Sequence, residues 1–145
     1  MNFMPPSEVL QLDEPAAPQA QTLRSKWREA VGEGSGFVAV PVSLLRMQTK
    51  LGLTATDLMV LINLLAHWWN PKTPVFPRTT TIAKRMGINE RTVQRSMRKL
   101  VKQGLAEAGR DEQNRRTYQF QGLVDRLNRD LPAAMRLAAT ESLDV

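Results

Sequence analysis

Arg91, Arg95, Arg98 and Lys102 recur at i, i+4, i+7 and i+11, with Gln94 beside them. On a helix that spacing gathers the four cations on one face. A guanidinium donates two parallel hydrogen bonds to guanine O6 and N7, and a carboxamide pairs with adenine N6 and N7. The face therefore carries the chemistry of reading base edges. Like charges at i, i+4 also repel by a few tenths of a kcal/mol per pair (~0.2–0.5), a cost that a bound anion would relieve. We assign Arg91, Gln94 and Arg95 to base edges. Arg98 and Lys102, farther from the helix N-terminus, are assigned to phosphates. Arg78, Thr79, Thr80 and Thr92 are further candidate phosphate contacts, with helix capping as the alternative role of the threonines. Arg110, Arg115 and Arg116 flank a predicted turn, from which they would reach phosphate or the minor groove. Asp111 and Glu112 lie in that same turn and dilute its charge.

Positioning these side chains requires a helix-turn-helix, in which a first helix braces the second and the second presents its outer face to the major groove. Ala83 supplies the small residue for close helix contact, and Gly87, four positions on, supplies a positive φ for the turn. Ile82, Met86, Ile88, Val93 and Met97 lock the pair. Ser96 departs from the apolar residue common at its position, and Met97, Leu100 and Val101 remain to form the inner face. Asn89 is the expected cap of a helix over about 90–103, ended by Gly104 at C′. Thr79 or Thr80 is the expected cap of the helix before it. Leu105–Arg110 and Arg115–Gln121 read as two strands around Asp111-Glu112-Gln113-Asn114, with Tyr118 and Phe120 on one face and Thr117, Gln119 and Gln121 on the other.

The charge follows the same layout. The net charge is +6. Residues 78–116 hold eleven basic and four acidic side chains, so the whole excess lies in the segment that holds the helical stripe. Such an excess points to a polyanionic partner.

Upstream, residues 1–21 are rich in Pro, Ala and Gln and read as disordered. Residues 22–31 form a candidate short helix with Leu23, Trp27 and Val31 on one face. A glycine-rich joint, 32–36, follows. Phe37–Val40 reads as a strand ended by Pro41, and 42–48 as one or two helical turns. Thr54 and Asp57 make a capping box for a helix running to about Trp69. That helix is apolar nearly all round and is expected to be buried on most sides, with Trp68 and Trp69 in the core. After Gly122, residues 123–145 read as one or two helices.

No catalytic set is present. Cysteine is absent, which removes disulfides, thiolate metal sites and cysteine nucleophiles. His67 is the single histidine and sits between Ala66 and Trp68. No phosphate-binding glycine loop, metal-ligand spacing or serine elbow appears. The protein is expected to be a non-enzyme without cofactor or metal. The longest apolar stretch, Leu58 to Trp69, is too short to span a bilayer, and the first residues lack the pattern of a secretory signal. A soluble, cytoplasmic protein is expected.

The runs FVAVPVSLLR, LGLTATDLMVLINLLAHWW, PVFPRTTTIAKRMGINERTVQRSMRKLVKQGLAEAGR and RRTYQFQGLVDRL resemble winged-helix proteins of plasmids, phages and integrative elements, of the replication-initiator and regulator type. The resemblance covers about residues 23–130. Its most specific pieces are Phe76-Pro77, Thr92-Val93-Gln94-Arg95, and the aromatic pair leading into Gly122-Leu123. Pro77-Arg78 stands where family members often have Pro-Ser, which removes a usual cap and adds a charge. The resemblance implies a winged helix-turn-helix and DNA binding, without fixing one biological role.

The expected architecture is mainly α with a small antiparallel β-hairpin. Residues 1–36 form a flexible arm, 37–122 a winged helix-turn-helix and 123–145 a C-terminal helical extension. The expected function is sequence-specific binding of double-stranded DNA as a transcriptional regulator. The alternatives are an accessory factor of plasmid or phage replication or maintenance, and a winged helix that serves only as a protein-interaction module. A homodimer is expected, joined through the helix 55–69 or the C-terminal helices. Residues 1–31 are a candidate contact for a protein partner.

Overall fold

The computed structural model describes residues 16–143. Its chain divides into two compact units, one up to Phe37 and one from Val38 onward.

In the first unit, helix α1 spans Ala16–Trp27 and a 3₁₀ turn spans Arg28–Val31. The disorder expected over 1–21 therefore gives way to helix from Ala16; residues 1–15 lie outside the described residues. Alanine favours helix, and Pro18 falls in the first turn, where a missing N–H costs nothing. The apolar stripe expected over 22–31 is broken. Arg28 takes a left-handed φ of 54°, which ends α1 before Val31 can join Leu23 and Trp27 on one face. Trp27 is exposed.

The second unit begins with an extended stretch. Phe37–Val40 does not form the expected strand. A strand needs a ladder partner for its N–H and C=O groups, and among the described residues none pairs with it. Helix α2, Val42–Met47, buries Leu44 and Met47. Helix α3, Ala55–Leu65, starts at Thr54 with the capping box complete. The Thr54 hydroxyl accepts from Asp57 N–H at 3.1 Å and the Asp57 carboxylate accepts from Thr54 N–H at 3.0 Å. The helix stops at Leu65, short of the expected Trp69. Its end tightens into i→i−3 bonds, His67 N to Leu64 O and Trp68 N to Leu65 O, and a helix continued to Pro71 would drive the proline ring into the His67 carbonyl. This turn brings Trp68 edge-on to Phe120 at 5.4 Å, with its Nε1 donating to Gln119 Oε1 at 3.1 Å. Trp69 is 71% exposed and is not a core residue.

Helix α4, Thr79–Met86, and helix α5, Glu90–Lys102, form the helix-turn-helix. Ile82, Ala83, Val93, Met97 and Leu100 are buried between them and α3. The cap of α4 is Arg78, with no side-chain hydrogen bond, rather than Thr79 or Thr80. Thr79 is already helical, and its hydroxyl is directed to Glu90 instead. Gly87 takes φ 67° in the turn, and Ile88 N–H closes on Ala83 O at 3.1 Å. A Cβ at Gly87 would meet nothing within 4 Å, so its cost would be conformational alone. Gly87→Ala is expected to lower stability by about 1 kcal/mol, and Gly87→Asn by less, because Asn tolerates the left-handed region. Urea unfolding of the two variants checks this. Asn89 caps α5, its carboxamide oxygen accepting from Thr92 N–H at 2.8 Å, and Gly104 follows with φ 75°.

The hairpin is shorter than expected: β1 is Glu107–Arg110 and β2 is Arg116–Gln119, antiparallel, with Ala108 opposite Tyr118 and Gly109 opposite Thr117. Thr117 is buried rather than outward-facing. Val75 forms an unforeseen bridge to Tyr118, each N–H donating to the other's carbonyl at 2.8 and 2.9 Å. Helix α6, Gln121–Arg129, leaves β2 almost at once, and α7, Leu131–Leu143, follows. The Glu107 carboxylate accepts from Gln121 N–H and Gly122 N–H at 2.9 and 3.0 Å, which satisfies two free donors at the start of α6. Pro132 falls in the first turn of α7 and does not interrupt it. Arg46 Nε meets Glu141 Oε1 at 2.8 Å and ties α2 to α7.

The second unit is thus mainly helical with one two-stranded antiparallel hairpin, a winged helix-turn-helix. Among the described residues no helix is long and apolar enough to cross a membrane.

Candidate nucleic-acid interface

The outer face of α5 carries Arg91, Gln94, Arg95, Arg98 and Lys102, all exposed. Its inner face buries Val93, Ser96, Met97 and Leu100. Among the described residues none of Arg91, Arg95, Arg98 or Lys102 forms an ion pair. Their charge is available to a partner.

Lys99, the fifth cation of α5, is used internally. Its Nζ lies 2.5 Å from Oδ2 of Asp57, which is only 4% exposed. Ser96 Oγ donates to Oδ1 of the same carboxylate at 2.8 Å. Burial pushes the Asp57 carboxyl up, but the Lys99 ammonium, the Thr54 N–H and the Ser96 and Thr54 hydroxyls outweigh it and hold it at about 2. Asp57 thus caps α3 and also fixes the rotation of α5. The cap is legible in the sequence, and the link between the helices is not. Ser96, read there as a departure from the motif, is the buried partner of an acid; a serine on an otherwise apolar inner face was the available signal.

The remaining expected site residues divide. Arg78 and Thr80 are exposed at the start of α4. The hydroxyl protons of Thr79 and Thr92 are already given away, to Glu90 Oε2 at 2.5 Å and to Asn89 Oδ1 at 3.0 Å. In the wing, Arg110 Nη1 donates to Asn114 O at 3.0 Å. Arg115 pairs with Asp111 at 2.7 Å and lies over the Phe76 ring at 4.1 Å. The Arg115 N–H, with the guanidinium behind it, holds the Asp111 carboxyl below the ordinary carboxylate range. Two of the three wing arginines therefore shape the hairpin. Arg116 faces a groove of about 490 Å³, which it lines with Gln94, Arg98, Thr79 and the rings of Phe76 and Tyr118. Among the described residues no cluster of His, Asp or Glu could hold a metal ion.

Residues 51–106 match the model of a helix-turn-helix domain family. Among solved structures, the chain is similar to the N-terminal domain of the DnaD protein from Geobacillus kaustophilus HTA426. The two are 23% identical with a TM-score of 0.53, over 76% of this chain and 89% of that one. That likeness shows a shared fold. No curated protein matches the chain.

Proposed function

We propose that this protein binds double-stranded DNA in a sequence-dependent manner, with α5 in the major groove, and acts as a transcriptional regulator. The observation that carries the reading is the row of cations, none ion-paired among the described residues, on the outer face of a helix whose inner face is locked into the core. Arg91, Gln94 and Arg95 lie toward the N-terminal half of α5, the part that meets base edges in helix-turn-helix docking. Arg98, Lys102, Arg78 and Thr80 would take phosphates, and Arg116 would approach from the wing. A homodimer fits the same reading, since two half-sites multiply specificity.

The test is anisotropy of a labelled duplex across a salt series, with wild type and Arg95→Ala. Six to ten phosphate contacts cost roughly a thousand-fold or more in affinity between low and moderate salt. Loss of a bidentate base contact weakens binding by about 5- to 150-fold. A steep slope with a weaker variant is the expected result. No binding at low salt would overturn the reading and leave the basic face to an acidic protein partner. Mapping the bound sites to promoters or to a replication origin separates a regulator from a replication or maintenance factor.

A further inference from the structure

The groove beside α5 is lined by more than a phosphate needs. Arg98, Arg116 and Gln94 supply charge and amide chemistry, while exposed Phe76 and half-buried Pro77 supply apolar surface over a floor of buried Met97 and Tyr118. A DNA phosphate is held by cations and N–H groups and gains nothing from an exposed aromatic ring. Nor do the base edges of an intact duplex require one, because those edges are reached from the outer face of α5. Phe76 is 41% exposed. It is held by the Arg115 guanidinium at 4.1 Å, itself fixed by Asp111. A ring braced by a cation and open to a basic groove is the chemistry of a stacking platform for a nucleobase. The groove's volume, about 490 Å³, lies within the range of sites that enclose a small organic molecule. Trp69, exposed on the same connection between α3 and α4, adds a second aromatic surface to that segment.

Resting on the DNA-binding reading above, we propose that this groove binds an unpaired nucleotide of single-stranded DNA. The base stacks on Phe76, its Watson–Crick edge meets the Gln94 carboxamide, and the flanking phosphates meet Arg98 and Arg116. The protein then has two DNA activities on overlapping surfaces that share Gln94, Arg98 and Arg116: duplex reading by the outer face of α5, and capture of a single strand between α5 and the wing.

Two labelled probes test this with the full chain: a duplex, and an oligodeoxythymidylate of about a dozen nucleotides, long enough to track a single-strand groove. Wild type is expected to bind both at low salt. Phe76→Ala is expected to weaken the single strand by on the order of tenfold, the scale of one lost base–aromatic stack, and to leave duplex affinity within about twofold. Phe76→Tyr keeps the ring and should keep the single strand. Arg91→Ala, outside the groove, should weaken the duplex and spare the single strand. Retained duplex binding by Phe76→Ala also certifies its fold. If wild type binds duplex and ignores the oligonucleotide, the proposal is overturned while the duplex reading stands. If Phe76→Ala weakens both probes equally, the ring is packing and the proposal is overturned again. If neither probe binds, both readings fall together.

Discussion

Asp57→Ala is expected to lower stability by about 3 kcal/mol, the low end of the cost of breaking a buried ion pair by removing one partner. The low end applies because Lys99 is about one-third exposed and its ammonium can turn to water. Ser96 cannot, and its hydroxyl is left buried without its acceptor, while Thr54 N–H loses the other half of the capping box. For a domain of this size that energy corresponds to a fall of roughly 10–20 °C in melting temperature. The charge itself adds a pH signature. A carboxyl held at about 2 in the folded protein, below its unfolded value, contributes stability that is fully present above roughly pH 4. That contribution, about 2 kcal/mol, is lost as the pH falls toward 2. Melting wild type and Asp57→Asn from pH 7 down to 2.5 should show their difference shrinking at the acid end. A constant difference would mean the carboxylate's charge does no work, and an unchanged Asp57→Ala melt would remove the pair as a support of α5.

Gly122→Ala should be at least as damaging for a purely steric reason. A Cβ at Gly122 would overlap the carbonyl oxygen of Gly104 and lie 2.8 Å from Glu107 Oε2. The first atom is backbone and cannot turn aside, so α6 or the 104 turn must move by more than an ångström. Overpacking of this kind costs about 1–3 kcal/mol when neighbours can relax, and with a rigid carbonyl opposite we expect about 3 kcal/mol or more. The displacement also reaches the end of α5 and the start of β1, because Gly104 joins them. A lowered urea midpoint for Gly122→Ala, larger than the loss for Gly87→Ala, is the expected result. Equal midpoints would show that the close approach is not maintained in solution.

The parts of the fold that were legible in sequence are those set by neighbours along the chain. Ala83, Gly87, Ile88 and Val93 state a helix-turn-helix by their spacing, and Thr54, Asp57, Asn89 and Gly104 state where helices start or stop. What stayed hidden depends on residues far apart. Asp57 and Ser96 are 39 positions apart, and no local pattern joins a cap to a serine on another helix. Phe37–Val40 has the composition of a strand but no ladder to enter, whereas Val75, between two prolines at 74 and 77 and a phenylalanine, finds one at Tyr118. Of the expected contact residues, Arg91, Gln94, Arg95, Arg98 and Lys102 share one exposed face as the periodicity required. Arg110, Arg115 and Thr92 have intramolecular partners, because short polar turns consume the hydrogen-bonding groups that a sequence displays as free, and Thr79 meets Glu90 across the helix-turn-helix.

The Val75–Tyr118 bridge also defines a module boundary. The chain enters the segment at Val75 and leaves it at Tyr118, and paired residues in an antiparallel bridge lie only about 5 Å apart. The whole of α4, the turn, α5 and most of the wing is therefore a closed insert with its two ends side by side. Because its two ends meet, the insert leaves the path of the rest of the unit continuous across Val75 and Tyr118. Its pose within the unit is set by the apolar inner face of α5 packed into the core beside α3 and by Asp57, which meets Lys99 and Ser96.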